Sequence, residues 1–435
     1  MVKMVKIISS ELVVPSEETP KSPIWLSNLD LTSFRIHFST IYFYRLNKST
    51  SADFFSVELL KSSLAKALVP YYPLAGRLGK DKNGRIEINC TGEGVLFVVA
   101  HCDVTLDDFD CFTPSIETRD LFVPTAPHPD KPCILLMLQV TFFKCGGLAL
   151  GINVHHTIVD GRSSFNFLET WTSIARGENC SVKQPLLDRT LLRARVDRKI
   201  MFDHFEYIYD PKSVVPIGIS TSNYTSSIFK ISKRHINALK LCCCDTAKVH
   251  VSTFRAITAL IWRCVCMARK LDTNSKSRLY TVVDMRSRMC PPLPPTYFGN
   301  ATVRASVSAV VGDVISGPIS NVAKMLHEGT NQGDEYIRSV IDYLETTDMN
   351  LPRRDVTPSD LRVTSWLGMS MYNVDFGMGQ PILCAPAFMW SSGYVYLIDN
   401  PGKDAGMFVA VSLEQESMLR FKELLFDELA NCGIA

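Results

Sequence analysis

Two histidines, an acid and a glycine are the residues of this 435-residue chain best placed to do chemistry, in the segment His155-His156-Thr157-Ile158-Val159-Asp160-Gly161. An imidazole titrates near neutrality, so it can take a proton from a hydroxyl or amine as that group attacks a carbonyl. The segment ends an apolar run, Leu148–His155, and precedes a helical pattern. His156 is therefore expected at a strand-to-helix turn, where a ring nitrogen can face an open cleft. Asp160 can brace that turn, and it is equally a simple N-cap for the helix starting near Arg162. Paired histidines raise the question of a metal, but neighbouring strand residues point to opposite faces and do not readily share one ion. No metal is expected. Spacing alone also leaves open a His156 that merely satisfies the core.

The elements that must hold this turn are legible as alternating strands and helices. Ser39–Tyr44 is rich in β-branched and aromatic residues and reads as a strand. Apolar residues at Val57, Leu60, Leu64 and Leu68 recur at helical spacing between Phe54 and Val69. Asn83-Gly84 marks a hairpin, and Cys133–Lys144 and Leu148–His155 read as two strands around Gly146-Gly147. A helix from Phe165 to Arg176 buries Phe167, Leu168, Trp171 and Ile174. From Gln184 to Ser222 the pattern loosens. The second half reads as strand Ser227–Ser232, helices Arg234–Leu241 and Thr253–Lys270, strand Leu279–Asp284, a helical stretch Val322–Leu344, strands Gly393–Ile398 and Met407–Ser412, and helix Glu414–Leu429. The expected organisation is a domain over residues 1–183 carrying His156, a crossover over 184–222, and a second domain over 223–435, each a mixed sheet with helices.

Bulk properties remove several function classes. Lys plus Arg number 46 against 44 acids, for a net charge of +2, so no basic field is present to bind nucleic acid. No apolar run approaches the roughly 18 residues a membrane span needs. The start, Met1-Val-Lys-Met-Val-Lys, reads as an opening strand rather than a signal peptide. A cytoplasmic location is expected, with the fourteen cysteines as free thiols and the sequons at Asn47, Asn89, Asn179, Asn223 and Asn300 unused.

A further set of residues turns this general reading into a specific one. His156-Thr-Ile-Val-Asp160-Gly161 resembles the His-x-x-x-Asp-Gly signature of the plant BAHD acyltransferase superfamily, and Asp375-Phe376-Gly377-Met378-Gly379 resembles its Asp-Phe-Gly-Trp-Gly signature. Leu26–Asp30, Tyr72–Arg77, Arg286-Ser287-Arg288, Pro291–Pro295, Tyr297–Asn300 and Thr364-Ser365-Trp366 resemble further landmarks along nearly the whole chain. The N-terminal third is most similar to the hydroxycinnamoyltransferase branch. This resemblance implies an α/β fold of two chloramphenicol-acetyltransferase-like domains with an active-site channel between them. It also implies direct transfer from acyl-CoA, a co-substrate, to a small alcohol or amine, with His156 as general base and no permanently bound cofactor. Asp160 becomes a structural residue, with Arg286 as its expected partner, and Gly161, Asp375, Gly377 and Gly379 become structural motif residues. The protein is expected to be a monomer.

Departures from the family pattern bear on substrate. Met378 stands where an indole N–H is proposed to meet the oxyanion, and a thioether has no donor. Gly368 stands where members acting on shikimate or quinate place an arginine for the acceptor carboxylate, so the acceptor is expected to be something other than shikimate. His37, Thr40, Tyr42, Trp366, Phe388 and Trp390 are expected around the acyl and acceptor groups, although strand or core packing accounts for them too. Ser252 and Thr253, opening a helix, are candidate CoA contacts, and Ser252 is equally an N-cap. Rival readings are an amide-forming transferase acting on a polyamine or on a cyclic or aromatic amine, and a catalytically impaired ligand-binding homologue, for which Met378 is the only support.

Overall fold

A computed structural model describes residues 5–45, 56–109, 112–125, 132–178, 183–208, 224–244, 251–348, 356–402 and 406–432. The sequons at Asn47, Asn179 and Asn223, and residues 209–222 of the crossover stretch, lie outside the described residues. Two compact units are present. One comprises residues 1–197, 291–301 and 368–388, and the other residues 198–290, 302–367 and 389–435.

The first unit is built on a six-stranded sheet. Its strands run in the order Val5–Val13, Val95–Cys102, Leu136–Phe143, Leu148–His155, His37–Tyr44 and Leu383–Pro386. One neighbouring pair is parallel and the rest are antiparallel, so the sheet is mixed. The β-branched and aromatic run His37–Tyr44 forms an inner strand because both of its faces find apolar cover. On one face Tyr44 and Trp171 of helix Gly161–Ala175 both meet Phe376, and on the other Phe43 meets Phe122 of helix Ile116–Phe122. That second helix lies so close that a Cβ on Gly151 would sit 1.8 Å from the Phe122 carbonyl oxygen, which leaves room only for glycine. A three-stranded sheet of Ile24–Trp25, Ile86–Asn89 and Arg77–Lys80 completes the unit's strands, with Gly84 at positive φ in the expected hairpin.

The second unit carries a second six-stranded mixed sheet, in the order Thr302–Val310, Lys276–Asp284, Leu361–Ser365, Tyr394–Asp399, Met407–Glu414 and Tyr224–Ile231. Helix Thr253–Ala268 is apolar almost all round and is covered accordingly by helices Ile319–Thr330 and Gln415–Asn431. Its Trp262 is fully buried and donates its indole N–H to Ser277 Oγ at 2.9 Å.

The units do not follow chain order. Strand Leu383–Pro386 comes from the second half of the sequence but pairs with His37–Tyr44. In the crossover, Lys199 N–H donates to Asp342 and Met201 N–H to Ser339, both on helix Asp334–Glu345, which ties this part of the stretch to the second unit. The helical pattern Val322–Leu344 is two helices, broken at Asn331-Gln332-Gly333.

Candidate active site

Strand register separates the two histidines. Leu148–His155 runs antiparallel to His37–Tyr44, with His155 opposite His37 and Val154 opposite Phe38. Opposed residues share a face and successive residues alternate. His155 accordingly meets His37 edge-on, ring centroids 5.1 Å apart, while His156, one residue beyond the strand, turns to Phe38 at 6.1 Å. His155 is buried, and burial, followed by the charges of His37, His156 and Arg35, pushes its pKa down to about 3. It stays neutral across the physiological range. His156 is half-buried, so it is the less enclosed residue of the pair.

The turn after His156 is fastened at both ends. His156 N–H donates to Ile36 O at 2.9 Å and Ile158 N–H to His155 O at 3.1 Å. Asp160, buried, has extended backbone and caps helix Gly161–Ala175, its Oδ1 accepting Ser163 N–H at 2.9 Å. Its Oδ2 accepts the N–H of Ala301 at 2.9 Å. The N-cap reading and the brace reading therefore describe one carboxylate. Arg286 belongs to the second unit, where its backbone N–H and Nη1 donate to Asp284 Oδ1 at 3.0 and 3.2 Å.

The second motif is a tight loop. One oxygen of Asp375 accepts three backbone N–H groups, from Gly377, Met378 and Gly379, at 2.8–2.9 Å. Gly377 and Gly379 have φ near +95° and +100°, conformations that a side chain would strain. Phe376 packs against Trp171 at 4.8 Å and Tyr44 at 6.4 Å, and Arg176 donates to the Asp375 carbonyl. Asp375, Gly377 and Gly379 thus make the loop, and Phe376 and Arg176 dock it.

The remaining expected site residues divide between faces and units. His37 lies on the His155 face, its Nε2 2.6 Å from Ile134 O, and burial lowers its pKa. Thr40 and Tyr42 alternate onto the opposite face, which is Phe38's, and Tyr42 is fully buried opposite Cys384 of the edge strand. These three do not line one surface. Gly368 has φ +71° with open space where a side chain would begin, and Phe388 lies under the Arg119 guanidinium at 4.7 Å. Trp366 and Trp390 belong to the second unit, Trp366 packing against Tyr396 with ring centroids 5.1 Å apart. Ser252 caps helix Thr253–Ala268, its Oγ accepting from Arg255 N and Nε, so its side chain is occupied.

Three residues that hold the His156 turn went unassigned in sequence reasoning: Asp30, Arg189 and Asn300. Asp30 and Asn300 stand inside quoted landmarks, but nothing in the loosely patterned crossover marks Arg189.

Comparison with known proteins agrees with this architecture. A family model described as the Transferase family matches residues 3–426. The chain is 43% identical to putrescine hydroxycinnamoyltransferase 1 of Oryza sativa subsp. japonica, over 98% of this chain and 99% of that one. It is 39% identical to shikimate O-hydroxycinnamoyltransferase of Nicotiana tabacum, over 97% and 99%. Among solved structures, vinorine synthase superposes with a TM-score of 0.77 at 25% identity, covering 97% of this chain and 98% of that one. The fold is that of this acyltransferase group, and the reaction is CoA-dependent acyl transfer. The chain belongs to the Transferase family, the BAHD acyltransferases, within its hydroxycinnamoyltransferase branch.

Proposed function

We propose that this enzyme moves an aromatic, hydroxycinnamoyl- or benzoyl-type acyl group from CoA to an amine or hydroxyl of a small acceptor, with His156 as general base. The observation that carries the assignment to His156 is the sorting of the histidine pair: His155 is buried and held neutral, while His156 is only half-buried, one residue beyond the strand. In the proposed step an imidazole nitrogen of His156 takes the acceptor's proton as the acceptor attacks the thioester carbonyl. The tetrahedral adduct then collapses, the carbon–sulfur bond breaks, and the thiolate leaves with the proton returned to it or to solvent. The new bond is an ester or an amide, and free CoA is the second product.

An amine acceptor is the reading we favour. It is supported by the 43% identity to an enzyme named for putrescine, whose only nucleophiles are amines, and by Gly368, which offers no cation to an acceptor carboxylate. A cytoplasmic monomer is part of the proposal. The twelve described cysteines, all free thiols, suit a reducing compartment, and among the described residues no helix is long and apolar enough to cross a membrane. Competition of putrescine, an aromatic amine, shikimate and a neutral aromatic alcohol for p-coumaroyl-CoA, with products identified by mass, tests the acceptor class. Amides should dominate, and efficient shikimate ester formation would overturn the acceptor assignment.

A further inference from the structure

Strand Leu148–His155 ends one residue before His156, and helix Gly161–Ala175 begins five residues after it. The carbonyls of residues 156–158 therefore fall outside both elements and need donors from elsewhere. Two side chains supply them. Asn300 Nδ2 lies 3.0 Å from His156 O and 3.2 Å from Thr157 O, and Arg189 Nη2 donates to Ile158 O at 2.7 Å. Three consecutive carbonyls are thus held by two residues distant in sequence.

Both donors are fixed by one buried carboxylate. Asp30 Oδ1 accepts Arg189 Nη1 at 2.8 Å, Asn300 N–H at 2.8 Å and Asn300 Nδ2 at 3.0 Å. Its Oδ2 accepts the N–H and Oγ–H of Ser27 at 2.9 and 2.8 Å. Ser33 Oγ donates to Asn300 Oδ1 at 3.0 Å, which orients the amide so that its NH2 faces the turn. The side chains of Arg189 and Asp30 are essentially inaccessible, 1% and 0% exposed, so water does not compete for these bonds. Leu26–Asp30 and Tyr297–Asn300, two stretches without assigned chemistry, meet here: Asp30 holds Asn300, and Asn300 bonds the carbonyl of His156 itself.

We propose that Asp30, Arg189 and Asn300 are positioning residues that set the pose of the His156 ring through its main chain. The inference rests on the reading of His156 as the base. A general base must lie within hydrogen-bond reach of its proton, and a displacement of about 1 Å can cost on the order of 100-fold in rate. The clamp touches only main-chain oxygens of the turn, so its loss should act on turnover and leave substrate affinity alone.

Asn300→Ala removes the two amide bonds to the turn but leaves Asp30 its bonds to Arg189, Ser27 and the backbone of residue 300. Arg189→Lys keeps the buried charge while an ammonium cannot hold Asp30 and Ile158 in the planar guanidinium geometry. Ser277→Ala, which deprives Trp262 of its partner in the second unit, is the control for lost stability. Each is measured for kcat, for the KM of acyl-CoA and acceptor, for the pH profile of kcat/KM and for Tm, beside His156→Ala. Both clamp variants should lose roughly 10–100-fold in kcat with KM within about threefold, and their acid limb should move. Ser277→Ala should lose stability without that loss of kcat. Clamp variants that keep near-normal kcat, or fall only as far as Ser277→Ala at an equal drop in Tm, overturn the proposal. An active His156→Ala instead overturns the base assignment, whatever the clamp variants do.

Discussion

At the scale of single residues, adjacent histidines of one type are given different chemistry by a one-residue step in register. His155 is enclosed with His37, while His156 leaves the strand toward Phe38. The burial of His155 has a measurable consequence. An unfolded imidazole titrates near 6.5, whereas folded His155 titrates near 3, so between those values the unfolded chain binds a proton that the folded chain refuses. The stability this provides is complete above pH 6.5 and is lost as pH falls toward 3, amounting to about 2 kcal/mol at pH 5. His37, also lowered, adds in the same direction. Urea unfolding at pH 7 and pH 5 should show a smaller loss for His155→Gln than for the wild type, and an unchanged slope would contradict the assignment. Met378 is the other informative residue. Its backbone N–H serves the Asp375 turn, and its thioether offers no donor. If an oxyanion donor has simply been given up, Met378→Trp should raise turnover about tenfold, a fraction of what such donors contribute elsewhere. A sharp fall would mean that the acceptor needs the smaller side chain.

At the scale of elements, the loop Asp375–Gly379 owes its shape to one carboxylate and two left-handed glycines, and its place to Phe376. Phe376→Ala removes a buried ring from between Tyr44 and Trp171, and should cost roughly 3–5 kcal/mol. Thermal unfolding checks this, and a Tm close to the wild type's would show that the ring is not an anchor. Sequence patterns located most of the framework. Strand Leu148–His155 matches its expected bounds, and helix Thr253–Ala268 and the hairpin at Asn83-Gly84 lie where residue type and period put them. Strands Val95–Cys102, Thr302–Val310, Leu361–Ser365 and Leu383–Pro386 went unassigned. The last has four residues and is defined by its pairing with His37–Tyr44, information that local sequence does not carry. Helix Gly161–Ala175 starts four residues before its apolar pattern, at the Asp160 cap that residue type had already offered for a helix starting near Arg162. His156 and both motifs were readable as residue patterns. The clamp of Asp30, Arg189 and Asn300 was not, since long-range bonds to main-chain carbonyls leave no periodic trace.

At the scale of the whole molecule, the two units each carry a six-stranded mixed sheet, yet neither unit is a continuous stretch of chain. Residues 291–301 and 368–388 leave the second half to complete the first unit, and they bring Asn300, Ala301 and the Asp375 loop with them. A cut between residues 184 and 222 would therefore separate His156 from Asn300 and Ala301, two of the residues that fasten its turn. The central claim is that His156 drives direct transfer from the thioester to the acceptor, and the release of free CoA thiol reports it. Wild type and His156→Ala are each mixed with p-coumaroyl-CoA, with and without a primary-amine acceptor, and thiol and product are counted together. The wild type should release one thiol per product and only in the presence of acceptor, with His156→Ala slower by roughly 100- to 10,000-fold. Thiol release that ignores the acceptor, or a His156→Ala enzyme near the wild-type rate, would contradict it.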